Sequence, residues 1–260
     1  MTIFGIIGLA FILVFFGLII LFTIVGREQP AANLRSISAF TKLRRAIGLA
    51  VESGSSLHLS IGRGNLTGTE GAIAFVGLSV LERLVRLTST SDNPPIATTG
   101  DASLAIVARD TLSGTYRDIG ISEQYKPTTG QLAGVTPFSY AAGVIPIIRD
   151  EKTSAHVLIG HYGNEVALIT DAGERSGDLT LAGTDNLPAQ SILYATAQEP
   201  LIGEEVYASG AYLQINPMHA ASLRAQDIIR WLLVIIILGG ILLKTLGLDQ
   251  TFINILDGLL

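Results

Sequence analysis

Near its start the chain holds an uninterrupted apolar run, Ile3 to Val25, without one charged side chain. At about 1.5 Å per residue, a helix of that length crosses a bilayer core of roughly 30 Å. A second run, Trp231 to Leu248, is apolar except for Lys244 near its end, where the aliphatic stem lets the ammonium reach the interface. Between the runs the pattern changes. Residues 31–52 place Leu34, Ile37, Leu43, Ile47 and Val51 near helical spacing and predict an amphipathic helix. Leu57-His58-Leu59-Ser60-Ile61 then alternates with the period of a strand and runs into Gly62-Arg63-Gly64-Asn65-Leu66-Thr67-Gly68. Ile73, Val76, Val80, Leu84 and Leu87 follow at spacings of three and four, behind a Thr67/Glu70 capping-box pattern.

That succession of strand, glycine turn and helix returns three times. Pro95 to Thr99 leads through Gly100-Asp101 to a helix bearing Leu104, Val107 and Leu112; Ala155 to Ile159 leads through Gly160-His161-Tyr162-Gly163 to Asn164 as a cap and a helix with Val166 and Ile169. Leu179 to Ala182 leads through Gly183-Thr184-Asp185 to a helix with Pro188 in its first turn. Gly134 to Tyr140 reads as a further strand, which Pro137 restricts to an edge, and Asp118 to Gln131 as a polar loop or seam. Strands alternating with helices make parallel crossover units. The fold class is therefore α/β: an open, mostly parallel Rossmann-like sheet with helices on both faces, flanked by amino- and carboxy-terminal transmembrane helices.

The segments divide as anchor 1–25, basic juxtamembrane helix 26–53, α/β domain 54–198, helical connector 199–230, second span 231–248 and apolar tail 249–260. Past Glu199 no strand pattern remains, and Ile202 to Leu213 and His219 to Leu248 read as helical. The first run lacks a basic start and a small-residue cleavage site, so it reads as a retained signal anchor. Arg27, Arg35, Lys42, Arg44 and Arg45 follow it, and Arg224 and Arg230 precede the second run. Basic flanks stay on the cytoplasmic side, which puts the domain in the cytoplasm, tied to the inner membrane, and both termini outside. Arg35, Lys42, Arg44 and Arg45 are also positioned either to touch anionic headgroups or to form the solvated face of a helix packed on the domain.

Composition narrows the chemistry. No cysteine is present, which removes disulfides, thiolate catalysis and cysteine metal sites. A net charge of −5 argues against nucleic-acid partners. The apolar spans carry few polar groups, which disfavours a transport pathway. Strand ends of a parallel sheet are where ligands gather, so Gly62, Gly64, Thr67, Gly100, Asp101, Gly160, His161, Gly163, Glu165, Gly183 and Asp185 are the candidate ligand-binding residues. Each also has a plainer role: the glycines as turns, Asp101 and Asp185 as helix caps. Gly62-x-Gly64-x3-Gly68 is one residue longer than the dinucleotide fingerprint, and Glu82, the acidic residue about 20 positions on, falls within a helix. The four histidines form no cluster in sequence, so no metal site and no cofactor are expected, and Glu204-Glu205 and Ser53, Ser55 and Ser56 read as surface features.

The stretch from His156 through Gly163-Asn164-Glu165, with Ala189-Gln190, Leu201-Ile202-Gly203-Glu204-Glu205, Ala211-Tyr212-Leu213 and Ala225 to Trp231, resembles an uncharacterised bacterial family of membrane-anchored proteins with one span at each end. The resemblance implies the anchor layout and no chemistry. Three readings follow. The first is a structural or interaction protein on the bilayer that forms homo-oligomers or joins a membrane complex, with the apolar tail as an assembly contact. The second is a ligand-responsive module binding a nucleotide or small anion at the glycine-rich strand ends, and the third is a membrane-tethered enzyme using His161, Glu165, Asp101 or Asp185.

Overall fold

The structure, a computed structural model, describes residues 3–25, 34–91, 93–150 and 152–247. Arg27 and the apolar tail from 249 onward lie outside the described residues. The chain forms two compact units, one holding the two terminal helices and the other the residues between them.

In the first unit, helix α1 (Ile3–Val25) and the last helix, α9 (Pro217–Thr245), pack against one another. Both are long and apolar enough to cross a membrane, and Phe11, Phe16, Trp231, Ile235 and Leu242 leave most of their surface exposed. Asn216 opens α9 by accepting the Met218 N–H at 2.9 Å, and Pro217 occupies the first turn. The helix runs unbroken through Gly239-Gly240 for 29 residues, about 44 Å of rod.

The second unit is a six-stranded, all-parallel sheet in the order β3-β2-β1-β4-β5-β6. Its strands are β1 (Ser56–Gly62), β2 (Ile96–Thr99), β3 (Gly130–Leu132), β4 (Thr153–His161), β5 (Leu179–Gly183) and β6 (Glu199–Leu201). Helices α2 (Ser38–Ser53), α3 (Gly71–Leu87) and α4 (Ala102–Asp118) close one face over Leu57, Leu59, Ile61, Val157 and Ile159. On the other face, α5 (Pro137–Ile148), α6 (Val166–Ser176) and α7 (Leu187–Thr196) pack over Leu158 and Ala182. A central strand buried on both sides needs apolar or mutually satisfied side chains throughout, and β1 is buried along its whole length.

Four of the expected strands and the helices after them form. Three expectations fail for local reasons. Gly134 to Tyr140 is no strand: Thr136 and Ser139 make a reciprocal capping box, and Pro137 is the first residue of α5. The edge strand is instead Gly130–Leu132, inside the stretch read as a loop, after short turns at Ser122–Gln124 and Pro127–Thr129. At the opposite edge β6 adds a strand where the pattern showed none; Pro200 within it is compatible with an edge. Between β6 and α9 the chain forms a tight turn, Gly203–Val206, and the short α8 (Ser209–Tyr212).

Helix α2 lies on the sheet, burying Ala39, Phe40, Leu43, Ile47 and Ala50, with Phe40 stacked on Tyr212 at 4.8 Å. Its basic neighbours find acceptors within the domain. Arg35 pairs with Glu205, Lys42 with Glu199 and Arg44 with the Tyr212 carbonyl, while Arg45 stands exposed.

Candidate functional site

From β1 the chain leaves to one face of the sheet through α3; from β4 it leaves to the other through α6. Where neighbouring strands send their connections to opposite faces, a crevice opens beyond their carboxyl ends. The two turns at that crevice begin at Gly62 and His161, which are register partners.

The backbones meet closely there. Arg63 N–H donates to the His161 carbonyl at 2.9 Å, and Gly100 N–H to the Gly62 carbonyl at 2.7 Å. Gly62 has φ +71°, and a Cβ on it would stand 2.4 Å from the His161 oxygen; one on Gly160 would stand 1.9 Å from the Ile61 oxygen. These two glycines are demanded by backbone approach. Gly100 has a different role, since a Cβ there would lie 2.2 Å from Arg63 Cγ: its bare surface is the seat of the Arg63 side chain.

Arg63 donates from Nε to Glu165 Oε1 at 3.0 Å, and the Gly163 N–H donates to the same oxygen at 3.0 Å. The Glu165 carboxylate is almost wholly buried. Burial alone would raise its pKa, but the Gly163 N–H and the Arg63 guanidinium outweigh it and hold the group below the usual carboxylate range. Beside this pair, His161 Nδ1 lies 2.8 Å from Asp185 Oδ1, while Nε2 faces Glu70 Oε1 at 3.4 Å. Asp185 thereby fixes the ring, as a carboxylate does for an acid–base histidine.

A floor of buried hydroxyls supports the turn. Tyr140 Oη lies 2.6 Å from Ser60 Oγ and accepts the Gly62 N–H at 3.2 Å; Tyr162 Oη donates to the Ser60 carbonyl at 2.8 Å. Burial pushes both phenols up, so they remain neutral hydrogen-bonding groups.

The chain belongs to the family of a domain of unknown function, DUF6754. The family's sequence profile matches residues 4–255, both apolar helices included. No curated protein and no solved structure matches the chain. In this member of the family the crevice gathers Gly62, Gly64, Gly160, His161, Gly163, Glu165 and Asp185 from three strand ends, together with Gly100.

Other candidates have other tasks. Asp101 caps α4, accepting the Leu104 N–H at 3.0 Å, and the Ser103 hydroxyl with that N–H lowers its pKa. It stands at the end of β2, where a dinucleotide site would keep an acid for the ribose, but here the carboxylate is committed to the helix. Thr67 and Glu70 form no capping box: Thr67 turns back to Asn65 Oδ1 at 3.0 Å, and α3 starts after Glu70. Asn164 and Asp185 are not caps either, since Glu165 and Asn186 hold those positions and Asp185 binds the histidine. His161 and Glu165 do not pair, because the helix begins only at Val166. Gly183 lies under Val206 and Leu201, as packing rather than as part of the crevice.

Sequence reasoning missed Arg63, Glu70, Tyr140 and Tyr162. Arg63 had a legible signal, being the one charged residue between two glycines of the first turn; the tyrosines sit on helix and turn and had none. The structure also brings His58 and His156, distant in sequence, into edge contact with ring centroids 5.6 Å apart. Among the described residues no group of histidines and carboxylates has metal-binding geometry.

Proposed function

We propose that this protein is a membrane-anchored ligand-binding module whose α/β domain takes a nucleotide or another phosphate-bearing small molecule at the β1/β4 crevice. The observation that carries the reading is the convergence, at the reversal of strand order, of an arginine, an oriented histidine and glycine turns. Helices α3 and α6 start at this crevice without side-chain caps, whereas Asp101 and Thr136 cap the flanking α4 and α5. An incoming phosphate would draw Arg63 from Glu165.

Thermal melting of the detergent-solubilised full chain against nucleotides, sugar phosphates and inorganic phosphate tests this. A ligand at 100 times its Kd stabilises by about 3 kcal/mol, so a true ligand raises the melting point by several degrees. Arg63→Ala and His161→Ala should weaken binding at least tenfold, with Arg63→Ala also lowering the unliganded melting point because it leaves Glu165 buried without its cation. If no phosphate-bearing compound shifts the transition, the crevice is a self-satisfied structural joint and the scaffolding reading takes its place.

For the setting we infer an inner-membrane protein with α1 and α9 as spans, the domain cytoplasmic and both ends outside. The basic residues that flank the inner ends of the two apolar runs support this, because the bias depends on Lys and Arg near the spans whether or not each group is paired. A reporter active only outside the membrane, fused to either terminus, should be active; silence at both ends would reverse the topology.

A further inference from the structure

His58 and His156 are cross-strand partners in the pairing of β1 with β4, the two strands whose ends frame the crevice. Both rings are fully buried, on the α5/α6 face of the sheet. His58 Nε2 lies 2.9 Å from Thr98 Oγ1; its Nδ1 and both nitrogens of His156 have no hydrogen-bond partner, nor have the Thr153 and Thr180 hydroxyls of the neighbouring strand positions. Four such atoms share the His58–His156–Thr180 tier of the sheet and the fifth, on Thr153, lies nearer the strand start, an unusual arrangement, since buried polar groups are ordinarily satisfied.

Asp178 stands between His156 and solvent. Asp178, just before β5, places Oδ2 3.6 Å from His156 Nε2 and is partly exposed. It also lines an open cleft of about 370 Å³ at the amino ends of the strands, whose rim carries Arg149, Asp150 and Arg175. On the β2 side His58 meets the Thr98 hydroxyl, and on the β5 side Thr180 is in register with His156. Asp178 is the charge that acts on His156, and Arg149, Asp150 and Arg175 line the same cleft.

We propose that the His58–His156 pair is a proton-sensitive clasp: a proton entering by the cleft and Asp178 charges His156, loosens β1 from β4, and so slackens the crevice at their far ends. A charged His156 gains Asp178 but loses its fit beside the second imidazole, and a second proton would set two like charges in ring contact. Between Ser60 and the turn the disturbance has a direct path, through Tyr140 Oη, which holds both Ser60 and the Gly62 N–H. Burial, with the neighbouring imidazole for His58, disfavours the charged forms, and Asp178 partly offsets this for His156, which takes its proton at about pH 4. The clasp depends on sheet geometry alone, so it stands or falls apart from the ligand proposed above.

Amide hydrogen exchange by mass spectrometry on the full chain in detergent, from pH 7.5 to 4 and corrected for the intrinsic pH dependence, reads this locally. Segments 57–62 and 156–161 should lose at least tenfold more protection than α4 as the pH falls below 6. His156→Gln, and separately His58→Gln, should flatten that difference. Equal loss in all segments, or the same profile in native and substituted chains, would overturn the proposal. Should the variants not fold, imidazole NMR of the native chain decides: two buried rings still neutral at pH 5.5 support the clasp, and ordinary titration near 6.5 refutes it.

Discussion

At the level of single residues, the glycine turns were legible because strand, glycine and helix succeed one another in a recognisable order, but what each glycine does was not. Gly160 and Gly114 illustrate the difference. A Cβ at Gly160 would meet the Ile61 carbonyl at 1.9 Å, backbone that cannot yield without parting β4 from β1. Gly114, in the interior of α4, has nothing within 4 Å of the same added atom. Gly160→Ala should therefore cost at least ~2 kcal/mol, an overpacking effect, whereas Gly114→Ala should gain ~0.5–1 kcal/mol from helix propensity. Chemical denaturation of the two variants checks both signs in one series. The partners of His161 were hidden for a related reason: Asp185 is 24 residues away and Glu70 precedes β2, so only the parallel crossovers bring their carboxylates to one ring.

Among elements, long periodic segments were read correctly and short edge segments were not. β3 and β6 have three residues each, too few to display alternation, and Pro137 had two valid interpretations that only the Thr136–Ser139 box resolves. Helix α2 posed a question of partner rather than of type. Its hydrophobic stripe falls on Phe40, Leu43, Ile47 and Ala50, all buried on the domain. If that burial is what holds α2, Phe40→Ala should cost about 3–5 kcal/mol through lost area and the cavity left beside Tyr212. Arg45→Ala, at an exposed position, should stay within ~0.5 kcal/mol. Thermal melts of the two variants would reveal a reversed order at once.

For the whole molecule, strand–helix alternation established a parallel sheet, yet not the reversal that makes the crevice. That reversal follows from one connection: after the edge strand β3, α5 crosses back to place β4 beside β1. The consequence is that two histidines which the chain order separates by 98 positions share the centre of the sheet, and the stability of the domain inherits their titration. Above pH 6.5 the imidazoles are neutral in both the folded and the unfolded chain and give no pH dependence. Between 6.5 and about 4 the unfolded chain binds protons that His156 refuses, so stability falls as the pH falls, by ~1.4 kcal/mol per unit for each proton excluded. His156 alone accounts for a loss on the order of 3 kcal/mol across that window, and His58 shifts in the same direction. Glu165 acts lower down: its depressed pKa contributes stability that is complete above the unfolded value of 4.5 and disappears as the pH drops through its folded value. The melting point of the domain should thus hold steady from pH 8 to 6.5, decline from there to about 4, and the decline above pH 5 should shrink in the His58→Gln/His156→Gln double variant. A native profile flat down to pH 4.5 would show that these rings do not stay neutral inside the sheet.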